Sequence, residues 1–405
     1  MAEFEAKVYK LAIEEHPNAD VLELARVGDY LSIVRKGEFK TGDLGVYIPE
    51  QAVCPAWLIE RLGLTGKLAG RDKNRVKAIK LRGILSQGLI YPLTFHQGIR
   101  ATNTDSDTPE YDDIWVLTVE DEIGERQFTL EAGADVTKFM GITKYEPVIP
   151  ASMSGEVVGA SGLTLKYDIE NIKKYPDIFT EHEKIAITEK IHGTWACFGW
   201  NPDATKTDGY IISSKGLSSH GVIFKLNEKN ESNLYVRAFN ETTNERGNVV
   251  DQVRNYFYNE LGYSFTMPFY ILAEIFGRGV QDLHYGQQHP SFRIFDVFIG
   301  APGSGRYLNF REKQRLCSDC GLLMVPILHV GFYSTEIIEE YTTGNEFISG
   351  DYNPPPNVQR DSVHMREGIV ITPLVERQND EIGRVILKSV SEDYLLRRGN
   401  TTEYN

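Results

Sequence analysis

Cysteine is scarce: Cys54, Cys197, Cys317 and Cys320 are the only four in a chain of 405 residues. That number excludes a disulfide-built fold, and a reducing compartment suits the thiols. Cys317 and Cys320 form a C-x-x-C, but no second such pair or nearby histidine pair completes a zinc site. Spacing predicts instead a helix over residues 310–320, capped by Asn309 and stopped by Gly321. Long apolar runs are missing too; none approaches the ~20 residues that span a bilayer. The opening MAEFEAKVYK lacks the basic-then-apolar pattern of a secretory signal. The expectation is a cytoplasmic protein, or a viral one acting in a host cytoplasm, with no membrane partner and no obligate protein partner evident. Positive charge is also in deficit, with 43 Lys and Arg against 57 Asp and Glu and a net charge of -14. A protein that coats nucleic acid non-specifically needs a basic surface, so that class is excluded.

What is present suffices for two cores: 41% of residues are hydrophobic and 25% charged. The first hundred residues read as short strands, YLSIVRKG, LGVYIPE, VKAIKLRG and GLIYPL, punctuated by Gly28, Gly42, Gly83 and Gly88. Strands so closely spaced, without long helices between them, predict a small barrel. Within this region Arg61, Lys67, Arg71, Lys73, Arg75, Lys77, Lys80 and Arg82 face only Asp72, a local reversal of the chain's acidity. Residues 101–125 are acidic and read as an inserted surface hairpin or loop. Residues 151–162, within PVIPASMSGEVVGASG, read as a linker. Beyond it, Val249, Val250, Val253, Phe257 and Leu261 recur at helical spacing before Gly262. The apolar runs FYILAEIF, FRIFDVFI, REGIVIT and RVILKSV predict a buried antiparallel sheet. The expected organisation is α+β: a β-barrel module over 1–150, the linker, and a mixed α/β domain over 163–405.

The chemistry concentrates in KIAITEKIHGTWACFGW. An apolar strand delivers Lys190 to its end, and His192-Gly193-Thr194 turns the chain into a second strand. A lysine at the mouth of a sheet, beside a glycine that admits close backbone approach, suits a nucleophile facing a phosphate. Three further apolar strands each carry a charge where charge is costly unless paired or used: Glu274, Glu367 and Lys388. Phe295 and Asp296 lie between them in FRIFDV. Taken singly, Lys190 reads as a surface lysine, the glutamates as buried salt-bridge partners and Phe295 as core. Five such residues in this order carry more weight than any one of them.

The ordered series resembles the motifs of the covalent nucleotidyltransferases: DNA ligases, RNA ligases and capping enzymes. TEKIHGT, with histidine where aspartate is more frequent, is similar to the RNA ligase branch that includes phage and editing enzymes. HPNADVLELARV, KGEFKTGDLGVYIP and LRGILSQGLIYP resemble the OB-like module that precedes the catalytic domain in Deinococcus-type RNA ligases. The resemblance implies an ATP-dependent RNA ligase, using Mg²⁺ or Mn²⁺, that joins 3′-OH and 5′-phosphate ends through lysyl-AMP and 5′-adenylylated RNA. It implies Lys190 as nucleophile, Lys388 on the α-phosphate, and Glu367 with Glu274 at the metal. Glu189, His192, Gly193, Lys215, Glu274, Phe295 and Lys388 would border the nucleotide, Phe295 by stacking on adenine. Arg71, Lys73, Lys77, Lys80 and Arg82 would hold RNA, a nicked or broken duplex with RNA on the 3′-OH side, as in RNA repair. Two departures stand out: Ile386 replaces the first lysine of the last K-x-K, leaving Arg384 as a substitute, and His192 cannot hold metal-bound water as a carboxylate does. A DNA ligase, an mRNA guanylyltransferase, and a non-catalytic RNA-binding protein with a decayed transferase domain are the competing readings.

Overall fold

The computed structural model describes residues 4–99, 111–121, 124–147, 149–240, 247–351, 364–398 and 401–402. The chain divides between Glu146 and Pro147 into two units with separate cores.

In the first unit, Lys7–Lys10, Leu44–Ile48 and Leu89–Pro92 form one antiparallel sheet, and Ala12–Glu15, Leu22–Val27 and Tyr30–Arg35 form another. Val8, Val46 and Ile48 of the first sheet meet Leu58 from the short helix Ala56–Arg61, while Ala25, Val27 and Val34 of the second pack with Tyr47 and Ile90. Gly88 is required where it stands: its φ is +75°, and a Cβ there would lie 2.7 Å from the Ile48 carbonyl oxygen. The acidic stretch is only partly the surface insertion expected. Its described part is the strand Tyr111–Asp121 paired with Gly124–Leu130, and the period of two turns Leu117 and Val119 into the core. Asp105, Asp107 and Glu110 lie outside the described residues.

The second unit is built on two five-stranded sheets. One orders Glu170–Asn171, Leu387–Val390, Gly368–Pro373, Lys184–Lys190 and Ile327–Phe332; the other orders Tyr210–Ser214, Thr194–Trp200, Phe269–Phe276, Ser291–Ile299 and Arg306–Tyr307. Ile191, His192 and Gly193 carry the chain from the first sheet to the second. Helix Val249–Asn259, capped by Asn248, lays Val250, Val253 and Phe257 on the second sheet. Helix Phe310–Cys320 has a full capping box between Asn309 and Glu312 and ends at Gly321 with φ +68°. Cys317 and Cys320 are buried on its inner face, so the C-x-x-C is helix packing. The expected linker is corrected: Met153 is buried in the main core, and Val157–Gly159 pairs with Val222–Phe224.

One buried ion cluster ties the second sheet to the last strands. Asp296 is fully buried and accepts from Lys313 at 3.0 Å, Arg384 at 2.5 Å and the Tyr167 hydroxyl at 3.0 Å. Burial alone would raise its pKa, but Arg384 and Lys313 hold it below the usual carboxylate range. Removing Asp296 leaves Lys313 buried and charged without its carboxylate, and leaves Arg384 with Glu376 alone. Asp296→Ala is therefore expected to cost about 3–5 kcal/mol of stability, read from urea unfolding curves.

Candidate active site

Lys190 ends its strand opposite Gly368, and its Nζ lies 2.8 Å from Oε1 of Glu367, the residue before that neighbouring strand begins. The lysine side chain remains 27% exposed, so a substrate can reach it. Glu274 comes from the other sheet, paired across the ladder with Trp195. Burial raises its pKa to about 8; the Glu367 charge adds to this, while Lys190 and the Gly193 N–H oppose it. Lys388 pairs with Val370 on the strand beyond, and burial together with the charges of Lys190 and Lys215 lowers its pKa to about 8. Lys215 opens the short helix Lys215–Ser219 and meets Asp168 at 3.2 Å. Lys190, Lys215, Lys388, Glu274 and Glu367 are thus brought within one electrostatic neighbourhood. Phe295 is partly buried, 5.5 Å from the Tyr167 ring. Glu189 is buried and accepts the Phe347 N–H at 2.8 Å.

Gly193 is enforced by space. A Cβ there would sit 2.2 Å from the Ile275 carbonyl oxygen and 2.9 Å from Cγ of Glu274, so no side chain fits. Arg384 is not free to replace a phosphate-binding lysine: Asp296 and Glu376 hold its guanidinium, which lies 3.6 Å from the Tyr307 ring. The buried ring of His192 is engaged by Asp282 at 2.8 Å and Tyr394 at 2.9 Å. Asp168, Asp282, Tyr394 and Arg397 were not singled out in the sequence, since each gains its meaning only from a distant partner. Among the described residues no three His, Cys, Asp or Glu side chains converge to hold a metal ion by themselves. Glu274 and Glu367 nonetheless fit a hard divalent ion such as Mg²⁺, which takes one or two carboxylates and completes its shell with water and phosphate oxygen.

In the basic run of the first unit, Arg71, Lys73, Lys80 and Arg82 are exposed and Lys77 is half-buried. Lys80 stands on the hairpin Ile79–Leu81/Ile84–Ser86, and Arg82 at its tip has φ +49° with its carbonyl held by Asn18. Arg75 instead lies 4.1 Å over the Tyr145 ring. No described helix is long and apolar enough to cross a membrane.

With this geometry in view, comparison with known proteins is direct. The RNA ligase family model matches residues 183–390, more than half of the chain, and an OB-fold domain model matches residues 6–93. The protein belongs to the RNA ligase family: an OB-fold domain followed by a ligase domain of antiparallel sheets and helices. Among solved structures, Naegleria gruberi RNA ligase with PPi is similar over 97% of this chain and 98% of that one, at 22% identity and TM-score 0.66. A mutant of the same enzyme with AMP and Mn gives 20% identity, TM-score 0.67 and coverage of 97% and 98%. Another, with ATP and Mn, gives 21%, 0.65, 96% and 98%. No match was found among curated protein sequences.

The depressed Lys388 pKa has a stability consequence. Below about 8 the folded protein holds this lysine charged where burial and two lysines disfavour it. As pH rises from about 8 towards 10.5, only the unfolded chain stays protonated and the handicap disappears. Lys388→Met is therefore expected to raise stability at pH 7 by at most about 3 kcal/mol, and Tm with it. Thermal melts at pH 7 and pH 10.5 check this, with the gain vanishing at the higher pH.

Proposed function

We propose that this RNA ligase is ATP-dependent, with Lys190 as the nucleophile that takes AMP. The observation that carries the reading is Lys190 at a sheet mouth, held by Glu367, partly exposed, and surrounded by Lys215, Lys388 and Glu274. The similar Naegleria gruberi enzyme has been seen with ATP and Mn and with AMP and Mn, which supports the same cosubstrate here.

The residues divide the work of phosphoryl transfer, which is mainly positioning and charge stabilisation. Glu367 orients the Lys190 amine, which must shed its proton before its lone pair attacks the α-phosphorus. A P–N bond forms, the bond to pyrophosphate breaks, and lysyl-AMP results. Lys388, charged below about pH 8, meets the α-phosphate oxygen that gains charge, and Lys215 lies on the ribose and phosphate side. Phe295 stacks on the adenine, Glu189 borders its edge with one oxygen held by the Phe347 N–H, and Gly193 lets the nucleotide approach the backbone. Glu367 and Glu274 would hold Mg²⁺ or Mn²⁺, which neutralises phosphate charge when bound. AMP then passes to an RNA 5′-phosphate, and a 3′-OH attacks the resulting pyrophosphate link and releases AMP. The substrate is a nicked or broken duplex with RNA at the 3′-OH, met through Arg71, Lys73, Lys77, Lys80 and Arg82 of the OB-fold domain.

Incubation with α-labelled ATP or GTP and Mg²⁺, followed by denaturing electrophoresis, tests the chemistry. ATP alone should label the protein, and Lys190→Ala should abolish the label while the fold stays intact. Glu367→Ala should slow labelling ~10²-fold, the order for losing one electrostatic stabiliser. Neutralising Lys73, Lys77 and Lys80 together should leave labelling unchanged but weaken RNA binding. The slope of log affinity against log salt should flatten by about one unit for each phosphate no longer neutralised, read in a titration with nicked duplex.

A further inference from the structure

The turn after Lys190 is gripped at every residue, and the grip comes from parts of the chain that no motif marks. Ile191 is buried against Phe276, Leu283, Tyr285 and Tyr394. The Gly193 carbonyl accepts from the Gln281 side-chain amide at 2.8 Å. His192 lies between them. Its backbone N–H donates to the Tyr285 hydroxyl at 2.6 Å, and its ring meets Asp282 through Nε2 and Tyr394 through Nδ1.

Asp282 is itself held from outside the turn. Its carboxylate accepts from Nε of Arg397 at 2.9 Å, from Nη2 of Arg397 at 3.3 Å, and from the backbone N–H of Thr402 at 2.9 Å. Its own N–H donates to the Thr402 hydroxyl at 2.8 Å. Burial would raise the Asp282 pKa, but the hydrogen bonds from His192, Arg397 and Thr402 bring it well below the usual range. It therefore accepts as a carboxylate, so Nε2 of His192 carries the proton. In the neutral ring Nδ1 then accepts from the Tyr394 hydroxyl. Arg397 stacks 3.8 Å from the Tyr394 ring, which closes the circuit.

We propose that Asp282, Tyr394 and Arg397 are positioning residues for the nucleophile, acting through His192. They fix the imidazole in one tautomer and orientation, and through it the turn that aims Lys190. Here the histidine is turned inward and serves as the peg on which the turn hangs. The inference rests on Lys190 being the nucleophile.

The test measures single-turnover lysyl-AMP formation by the full chain in Asp282→Asn, Tyr394→Phe and His192→Ala, alone and combined. Supporting residues of this kind are commonly worth about ten- to a hundredfold in activity. Asp282→Asn should slow adduct formation by about that factor at saturating ATP while the ATP concentration for half-maximal rate moves less than about twofold. Placed in the His192→Ala background, Asp282→Asn should cost nothing further, because both act by one route. The ¹⁵N spectrum of histidine-labelled protein should show one Nε2-protonated ring that changes state in Asp282→Asn. A wild-type rate in Asp282→Asn would overturn the proposal, and so would losses that add in full to those of His192→Ala. If Asp282→Asn does not fold, Tyr394→Phe, which removes one hydroxyl, decides by the same two readouts. An adduct that persists in folded Lys190→Ala would instead strike at the nucleophile. Should Lys190 alone carry the label while Asp282→Asn is silent, only the positioning role falls.

Discussion

The site depends on one constraint: a three-residue turn must pass from one five-stranded sheet to the other with no room to spare. Gly193 lies so close to the Ile275 carbonyl oxygen that a methyl group cannot be accommodated. That approach brings Glu274, from the second sheet, next to Lys190 and Glu367, which belong to the first. A looser turn would leave the two carboxylates on separate elements with independent motions. Functional groups held within a fraction of an ångström need supports whose own conformations are locked, and here the supports are the sheets themselves.

Charge is arranged at the expense of stability. Lys190, Lys215 and Lys388 repel one another, and Lys388 and Glu274 both sit where burial disfavours their charged forms. An anionic ligand with several phosphate oxygens would relieve the repulsion among the three lysines. The Asp296 cluster shows the opposite economy. Its two cations and the carboxylates of Asp296 and Glu376 neutralise each other inside the protein, and Arg384 is consumed there. The same residue types therefore serve two purposes: one cluster pairs every charge, while the other keeps a buried lysine and a buried glutamate where their charged forms are disfavoured.

Much of this was legible in the sequence, for local reasons. Glu274 and Lys388 stand out because each interrupts an apolar strand, Glu367 because it immediately precedes one, and Phe310–Cys320 because asparagine and glycine bracket a helical period. The β-rich beginning was equally readable from its glycine spacing. What escaped had no local mark. His192 meets Asp282 and Tyr394 across 90 and 202 residues, and no periodicity connects such positions. Arg384 could be seen as basic but not as already bound. The 151–162 segment, polar and rich in glycine and serine, reads as a linker by composition, yet Met153 and the strand Val157–Gly159 anchor it in the ligase domain. In the acidic stretch, charged residues overlie the alternation that buries Leu117 and Val119.

The strand order has a consequence for how the enzyme comes into being. Glu170–Asn171 and Lys184–Lys190 leave the ribosome well before their neighbours in the sheet, Gly368–Pro373 and Leu387–Val390. Domains fold as units once their chain is available. During that interval Lys190 exists without Glu367, and Asp296 waits for Arg384. The nascent chain then carries Lys190, Lys215 and Glu274 without Glu367 and Lys388, and the charged cluster is complete only when the late strands arrive.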